Sequence, residues 1–144
     1  MKIRKATKKD LKEIGKIYMK VYSEPPYNEK WLERNSYKKV KEYFKEGIMF
    51  VAEENKKIVG AIIGHLVTWD NHINAFGDEF FVLKEFRGKG IGKKLSLKLE
   101  NYFKRKNAKY FSINANPKSR AYKMYLKSGF HKSKNSVCLE KKLK

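Results

Sequence analysis

Phe80-Phe81-Val82-Leu83-Lys84-Glu85-Phe86-Arg87-Gly88-Lys89-Gly90-Ile91-Gly92 is the stretch on which the fold turns. It opens as an apolar strand, crosses a short polar turn and closes on glycines that start a helix. Ile91, Leu95, Leu99, Tyr102 and Phe103 mark that helix at its own spacing. The physics of such a junction is anion capture. Glycine lets a backbone approach a ligand closely. The first N–H groups of a helix have no carbonyl behind them, and the helix dipole adds partial positive charge. Arg87, Lys89, Lys93 and Lys94 add full charges around the same point, so a pyrophosphate is the natural guest. Neither a Walker loop nor a dinucleotide fingerprint fits, because Gly88-x-Gly90-x-Gly92 has the wrong spacing for both. A plain Gly/Lys turn before a surface helix is the simpler alternative.

On the N-terminal side, Thr7 and Asp10 resemble a capping box. Leu11, Ile14, Ile17, Tyr18 and Val21 then predict an amphipathic helix over 8–22. Pro25-Pro26 cannot continue it. A second helix uses Trp31, Tyr37, Val40, Tyr43 and Phe44 and ends at Gly47. Strands are expected at 48–52, 58–68 and 75–83, the first two as a hairpin across Glu54-Asn55-Lys56-Lys57. On the C-terminal side a strand at 110–115, a helix at 119–127 closed by Gly129 and a last strand at 137–143 complete the reading. Strands alternating with helices in this half argue a mixed α/β sheet with helices on both faces.

The 144 residues suffice for one domain, 1–144, and no linker or repeat divides them. No apolar run approaches the roughly 18 residues of a membrane span, so no membrane partner is expected. Met1-Lys2-Ile3-Arg4-Lys5 carries no apolar leader core. The one cysteine, Cys138, cannot staple the chain or build a thiolate metal site, and a cytoplasmic location fits it. His65, His72 and His131 lack metal spacing, so no metal is expected, and His65 reads as a satisfied sheet residue. The formal charge is +20. From Lys84 onward there are 19 basic and 3 acidic residues, against 16 and 12 before it. A polyanionic partner therefore belongs mainly to the second half. The abundance of Lys also fits heat adaptation.

Arg87-x-x-Gly90-x-Gly92 after a Phe-Val strand resembles the acetyl-CoA signature of the GNAT superfamily of N-acetyltransferases. Arg120-Ala121-Tyr122-Lys123-Met124-Tyr125-Leu126-Lys127-Ser128-Gly129-Phe130 resembles that family's Ala-x-x-x-Tyr-x-x-x-Gly-Phe segment. Ile58-Val59-Gly60 and Val137-Cys138-Leu139-Glu140-Lys141 resemble its central and closing strands. The likeness covers nearly the whole chain in order. It implies a central, mostly antiparallel sheet with two splayed parallel strands in its middle, here 75–83 and 110–115.

The resemblance further implies that main-chain groups of Phe81 and Val82 pair with the pantetheine arm of acetyl-CoA. Backbone N–H groups of Arg87, Gly88, Lys89, Gly90, Ile91 and Gly92 then hold its pyrophosphate. Asn116 or Ser119 reaches the cofactor from the start of the last helix, although Lys118 stands where the family often has Asn. Tyr125 matches the tyrosine that returns a proton to the departing thiolate. Glu79 resembles a strand glutamate that takes a proton from the amine, with Asp78 or a water as the alternative. Strict alternation puts 78 and 79 on opposite faces. Glu24, Tyr27, Trp31 and Trp69, with His65 and Asp70, are candidates for the acceptor pocket, where acids and aromatics suit a cationic amine.

The implied activity is direct acetyl transfer to a primary amine in a ternary complex, most simply a small molecule, with a homodimer as a family habit. A protein amine is a second acceptor class. A degenerate acetyl-CoA sensor is a third reading, opposed by the presence of both Tyr125 and Glu79. The alternative from another class is a basic nucleic-acid-binding module, which the charge and nine Phe and nine Tyr residues permit. No aromatic RNA-binding signature supports it.

Overall fold

The computed structural model describes residues 1–144. The chain divides into two compact units, 1–114 and 115–144. In the first, five strands form one sheet in the order β1-β2-β3-β4-β5. They are β1 (Lys2–Lys5), β2 (Ile48–Glu54), β3 (Lys57–Thr68), β4 (Ile73–Val82) and β5 (Ala108–Ile113). The first four pair antiparallel, and β4–β5 is parallel. Helices α1 (Leu11–Tyr22) and α2 (Glu33–Glu46) cover one face, and α3 (Ile91–Arg105) covers the other.

The local chemistry follows the sequence closely at the N-terminus. The Thr7 N–H donates to Asp10 Oδ2 at 2.7 Å, as a capping box requires. Arg4 grips Asp10 with both terminal nitrogens, at 2.8 and 3.0 Å, and reaches Glu53 on β2 at 2.7 Å. This fork ties the entry of α1 to the sheet. The β2–β3 hairpin turns at Asn55 and Lys56, both left-handed at φ 49° and 63°, which matches the sheet's twist. Apolar residues on alternate positions then divide between two cores. Ala61, Ile63 and Phe81 pack with α1 and α2, while Ile62, Val82 and Ala75 pack with α3.

One irregularity matters most. In the β3–β4 ladder, Ile63 pairs with Glu79 and Gly64 pairs with Gly77, so Asp78 is an extra residue without a partner. It is a β-bulge, and it resets the alternation of β4. Both Asp78 and Glu79 consequently lie on the α1–α2 face, whereas strict alternation put them on opposite faces. The parallel ladder with β5 also ends here, at Gly77↔Ile113, and β5 supplies no partner for 78–82. This is the expected splay.

The C-terminal expectation fails in one respect. Residues 137–143 form no strand, and Val137, Leu139 and Leu143 are 82%, 88% and 87% exposed. Without a closing strand the parallel pair stands at the edge of the sheet, not in its middle. The second unit contains α4 (Arg120–Lys127), capped by Ser119, whose Oγ accepts from the Tyr122 N–H at 3.1 Å.

The Arg4 pair lowers the Asp10 pKa from 3.8 to about 2, chiefly through its hydrogen bonds. The side chain is only 12% exposed. A depressed carboxylate stabilises the fold above its unfolded value and loses that contribution as pH falls through the folded one. Asp10→Asn is therefore expected to cost about 2 kcal/mol at pH 7. Urea titrations should find the variant and the wild type converging between about pH 4 and pH 2.

Candidate active site

The bulge brings an acidic and aromatic cluster together on the α1–α2 face of β4. Glu79 is its centre. Tyr18 and Tyr22 lie one turn apart on α1 and donate to Oε1 at 3.1 Å and to Oε2 at 2.5 Å. Tyr43 of α2 donates to Oε1 at 2.9 Å. Burial is the largest influence on Glu79 and raises its pKa, while the three phenols pull it down. The phenols themselves are held well above the ordinary value, first by burial and then by the Glu79 charge, so they remain donors. Hydrogen bonds to an ionised group contribute about 1.5–3 kcal/mol each, against several kcal/mol for burying the charge.

Aromatic rings wall this centre. Tyr18 meets Trp31 edge-on at 5.0 Å and Phe81 at 5.6 Å, and Tyr22 meets Tyr27 at 4.7 Å. Tyr27 and Trp31, two of the residues expected around an acceptor, thus stand beside this phenol cluster. Trp69 does not join them. It sits in the β3–β4 connection, 55% exposed, with its N–H bonded to the His72 carbonyl. Glu24 is turned toward Arg87, at 3.4 Å.

Asp78 binds His65 instead of the tyrosines. His65 Nδ1 lies 2.7 Å from Asp78 Oδ2, and its ring stacks on Phe76 at 5.5 Å with planes 18° apart. Sequence reasoning missed Tyr18, Tyr22 and Tyr43 as site residues, and named His65 and Asp78 singly without their pairing. Tyr18 and Tyr43 read as apolar positions of amphipathic helices. The readable signal was their hydroxyls, since a buried phenol needs a partner.

The glycine loop has the form its sequence predicts. Gly88 and Gly90 are left-handed, at φ 78° and 79°, and Gly90 caps α3. The N–H groups of residues 88–93 donate to no protein acceptor, and Lys94 begins the helical ladder on the Gly90 carbonyl. Lys93 and Lys94 are exposed, while Lys89 lies over the Phe86 ring at 5.2 Å. Arg87 behaves differently from the expectation of a free phosphate charge. Its Nε donates to the Val82 carbonyl at 2.8 Å and its Nη1 faces Glu24, so it braces the end of β4.

In the second unit, Asn116 Oδ1 accepts from the Lys118 N–H at 2.9 Å, and Ser119 is the buried helix cap. Tyr125 is buried, with its ring 5.1 Å from that of Phe130.

Residues 7–143 match the family model of the acetyltransferase (GNAT) domain. A protein of Archaeoglobus fulgidus described as an uncharacterized N-acetyltransferase is 35% identical over 119 residues, covering 76% of this chain and 78% of the relative. The chain belongs to the GNAT family and is an acetyltransferase. The fold agrees. A possible acetyltransferase from Clostridium difficile 630 superposes with a TM-score of 0.84 at 19% identity, covering 99% of this chain and 98% of that one. An aminoglycoside 6'-N-acetyltransferase from Acinetobacter haemolyticus does so with 0.78 at 18%, covering 100% of both. A further aminoglycoside N-acetyltransferase, in complex with CoA, gives 0.77 at 17%, covering 97% and 93%.

The raised pKa of Glu79 means that its protonated form is favoured more in the folded chain than in the unfolded one. Its stabilising contribution is complete in acid and is lost as pH rises through the raised value. Glu79→Gln, which cannot ionise, should melt no lower than the wild type at pH 8. A drop of more than about 4 °C, roughly 1 kcal/mol, would mean the phenol bonds to the anion outweigh its burial.

Proposed function

We propose that this enzyme transfers the acetyl group of acetyl-CoA to a primary amine of a small molecule, by direct attack within a ternary complex. The observation that carries the reading is the loop before α3, with its left-handed glycines and six unpaired N–H groups, beside a β4 edge that continues past β5. These features fit the two ends of the cofactor: N–H groups of Gly88 to Gly92 for pyrophosphate, and the main chain of Phe81 and Val82 for an extended amide arm. Arg87 enters as a brace for this edge. Lys93 and Lys94 supply mobile charge. When bound, acetyl-CoA supplies an activated thioester.

The chain's own residues do the rest. Glu79 and Asp78 make an acidic pair on a strongly basic protein, and Tyr22, Tyr27 and Trp31 stand around Glu79. Glu24, held by Arg87, is retained as a candidate for the acceptor pocket. Such surroundings favour a cationic amine by charge and by cation–π attraction. Glu79 is the negative pole that the acceptor ammonium meets. Its two oxygens, shared among three phenols, fix that pole in place. Tyr125 is proposed, from the family pattern, as the donor that protonates the departing thiolate. Asn116 and Ser119 are retained as candidates for cofactor contact. A cytoplasmic site of action fits a chain whose one cysteine, Cys138, is exposed and free. No helix is long and apolar enough to cross a membrane.

Calorimetry with acetyl-CoA, dephospho-CoA and a short DNA duplex tests the cofactor assignment. Saturable one-to-one binding of acetyl-CoA is expected. Salt-sensitive binding of DNA alone would favour the nucleic-acid reading. Gly90→Ala forces a side chain into a left-handed position, at about 1–2 kcal/mol. It should weaken acetyl-CoA binding about tenfold. Tyr125→Phe should lower the rate of thiol release by about a hundredfold with acetyl-CoA affinity preserved. Equal loss of both would assign Tyr125 to packing.

A further inference from the structure

The proton of the acceptor amine needs a destination, and the site offers two. Glu79 is the first, but three O–H donors already occupy its oxygens. His65 is the second. Its Nδ1 is taken by Asp78, which fixes the ring as the Nδ1–H tautomer and leaves the Nε2 lone pair without a partner. Phe76 holds the ring plane from below. The side chain is 36% exposed, enough to meet a ligand. The position is set by the bulge. Asp78 is the unpaired residue of the β3–β4 ladder and the first β4 residue beyond the parallel pairing, where the two strands part.

We infer that His65 is the proton acceptor for the amine, with Asp78 as its positioning residue. This deepens the acetyltransferase reading above and rests on it. The step is a proton transfer: the ammonium N–H bond breaks, Nε2–H forms, and the positive charge moves onto an imidazolium stabilised by Asp78. The neutral amine is then the nucleophile. Glu79 keeps its phenol bonds throughout and acts on the amine by charge alone. The titratable and charged groups on this face are His65 of β3, Asp78 and Glu79 of β4, Tyr18 and Tyr22 of α1, Tyr27 and Glu29 of the loop after α1, and Lys39, Glu42 and Tyr43 of α2.

The test compares wild type, His65→Gln, Asp78→Asn and Glu79→Gln by thiol release with acetyl-CoA and three acceptors: tobramycin, spermidine and phenethylamine. His65→Gln should flatten the pH dependence of kcat/KM and lower kcat by about a hundredfold or more, with acetyl-CoA affinity by calorimetry within about twofold. Persistence of that pH dependence in His65→Gln with its loss in Glu79→Gln would overturn the proposal in favour of Glu79. Nitrogen-15 spectra of the histidines give a second reading that needs no turnover. An Nδ1–H tautomer for His65 is expected in the wild type and its loss in Asp78→Asn, whereas an Nε2–H tautomer would overturn the assignment even if every acceptor failed. Failure to bind acetyl-CoA would remove the acetyltransferase reading itself, and the inference with it.

Discussion

The bulge at Asp78 is the constraint on which the site depends. One residue too many on β4 cannot be absorbed by the ladder with β3, so the strand bends and its alternation restarts. Two carboxylates that a regular strand would send to opposite sides then share one face. The same irregularity falls where the β5 ladder ends, at Gly77↔Ile113. Glu79 reaches the phenols of α1 and α2 because of it, and Asp78 reaches His65.

The second determinant is the division of labour among charges. Arg4, Asp10 and Glu53 are paired and hold the first helix to the sheet. Arg87 and Glu24 join the loop after α1 to the end of β4. The lysines of the glycine loop are largely unpaired. Among the basic residues, pairing marks the structural charges, and lack of pairing marks those available to an anion.

Much of this was legible in the sequence, for local reasons. Thr7 and Asp10 announce a cap because both partners lie within one turn. Gly88 and Gly90 announce left-handed backbone because other residues avoid it. The faces of 78 and 79 were not legible, since a bulge is a property of two strands and one strand's alternation cannot reveal it. Tyr18 and Tyr43 were hidden by helical spacing, which locates a buried face without saying what the hydroxyls meet. Val137 and Leu139 carry a strand's pattern, but a pattern assigns faces only once a neighbouring edge supplies hydrogen bonds. Arg87 was legible as a charge beside the glycines, but its bond to the Val82 carbonyl five residues back was not, because that contact exists only once the turn has folded.

The uneven charge has a kinetic consequence. A chain of net charge +20, with its excess in the second half, presents a long-range field that draws an anion inward before contact. A cationic molecule meets the opposite field and is attracted only within about a Debye length of the acidic face, roughly 8 Å at physiological ionic strength. Encounter rates for anions and for cations therefore respond to added salt with opposite sign.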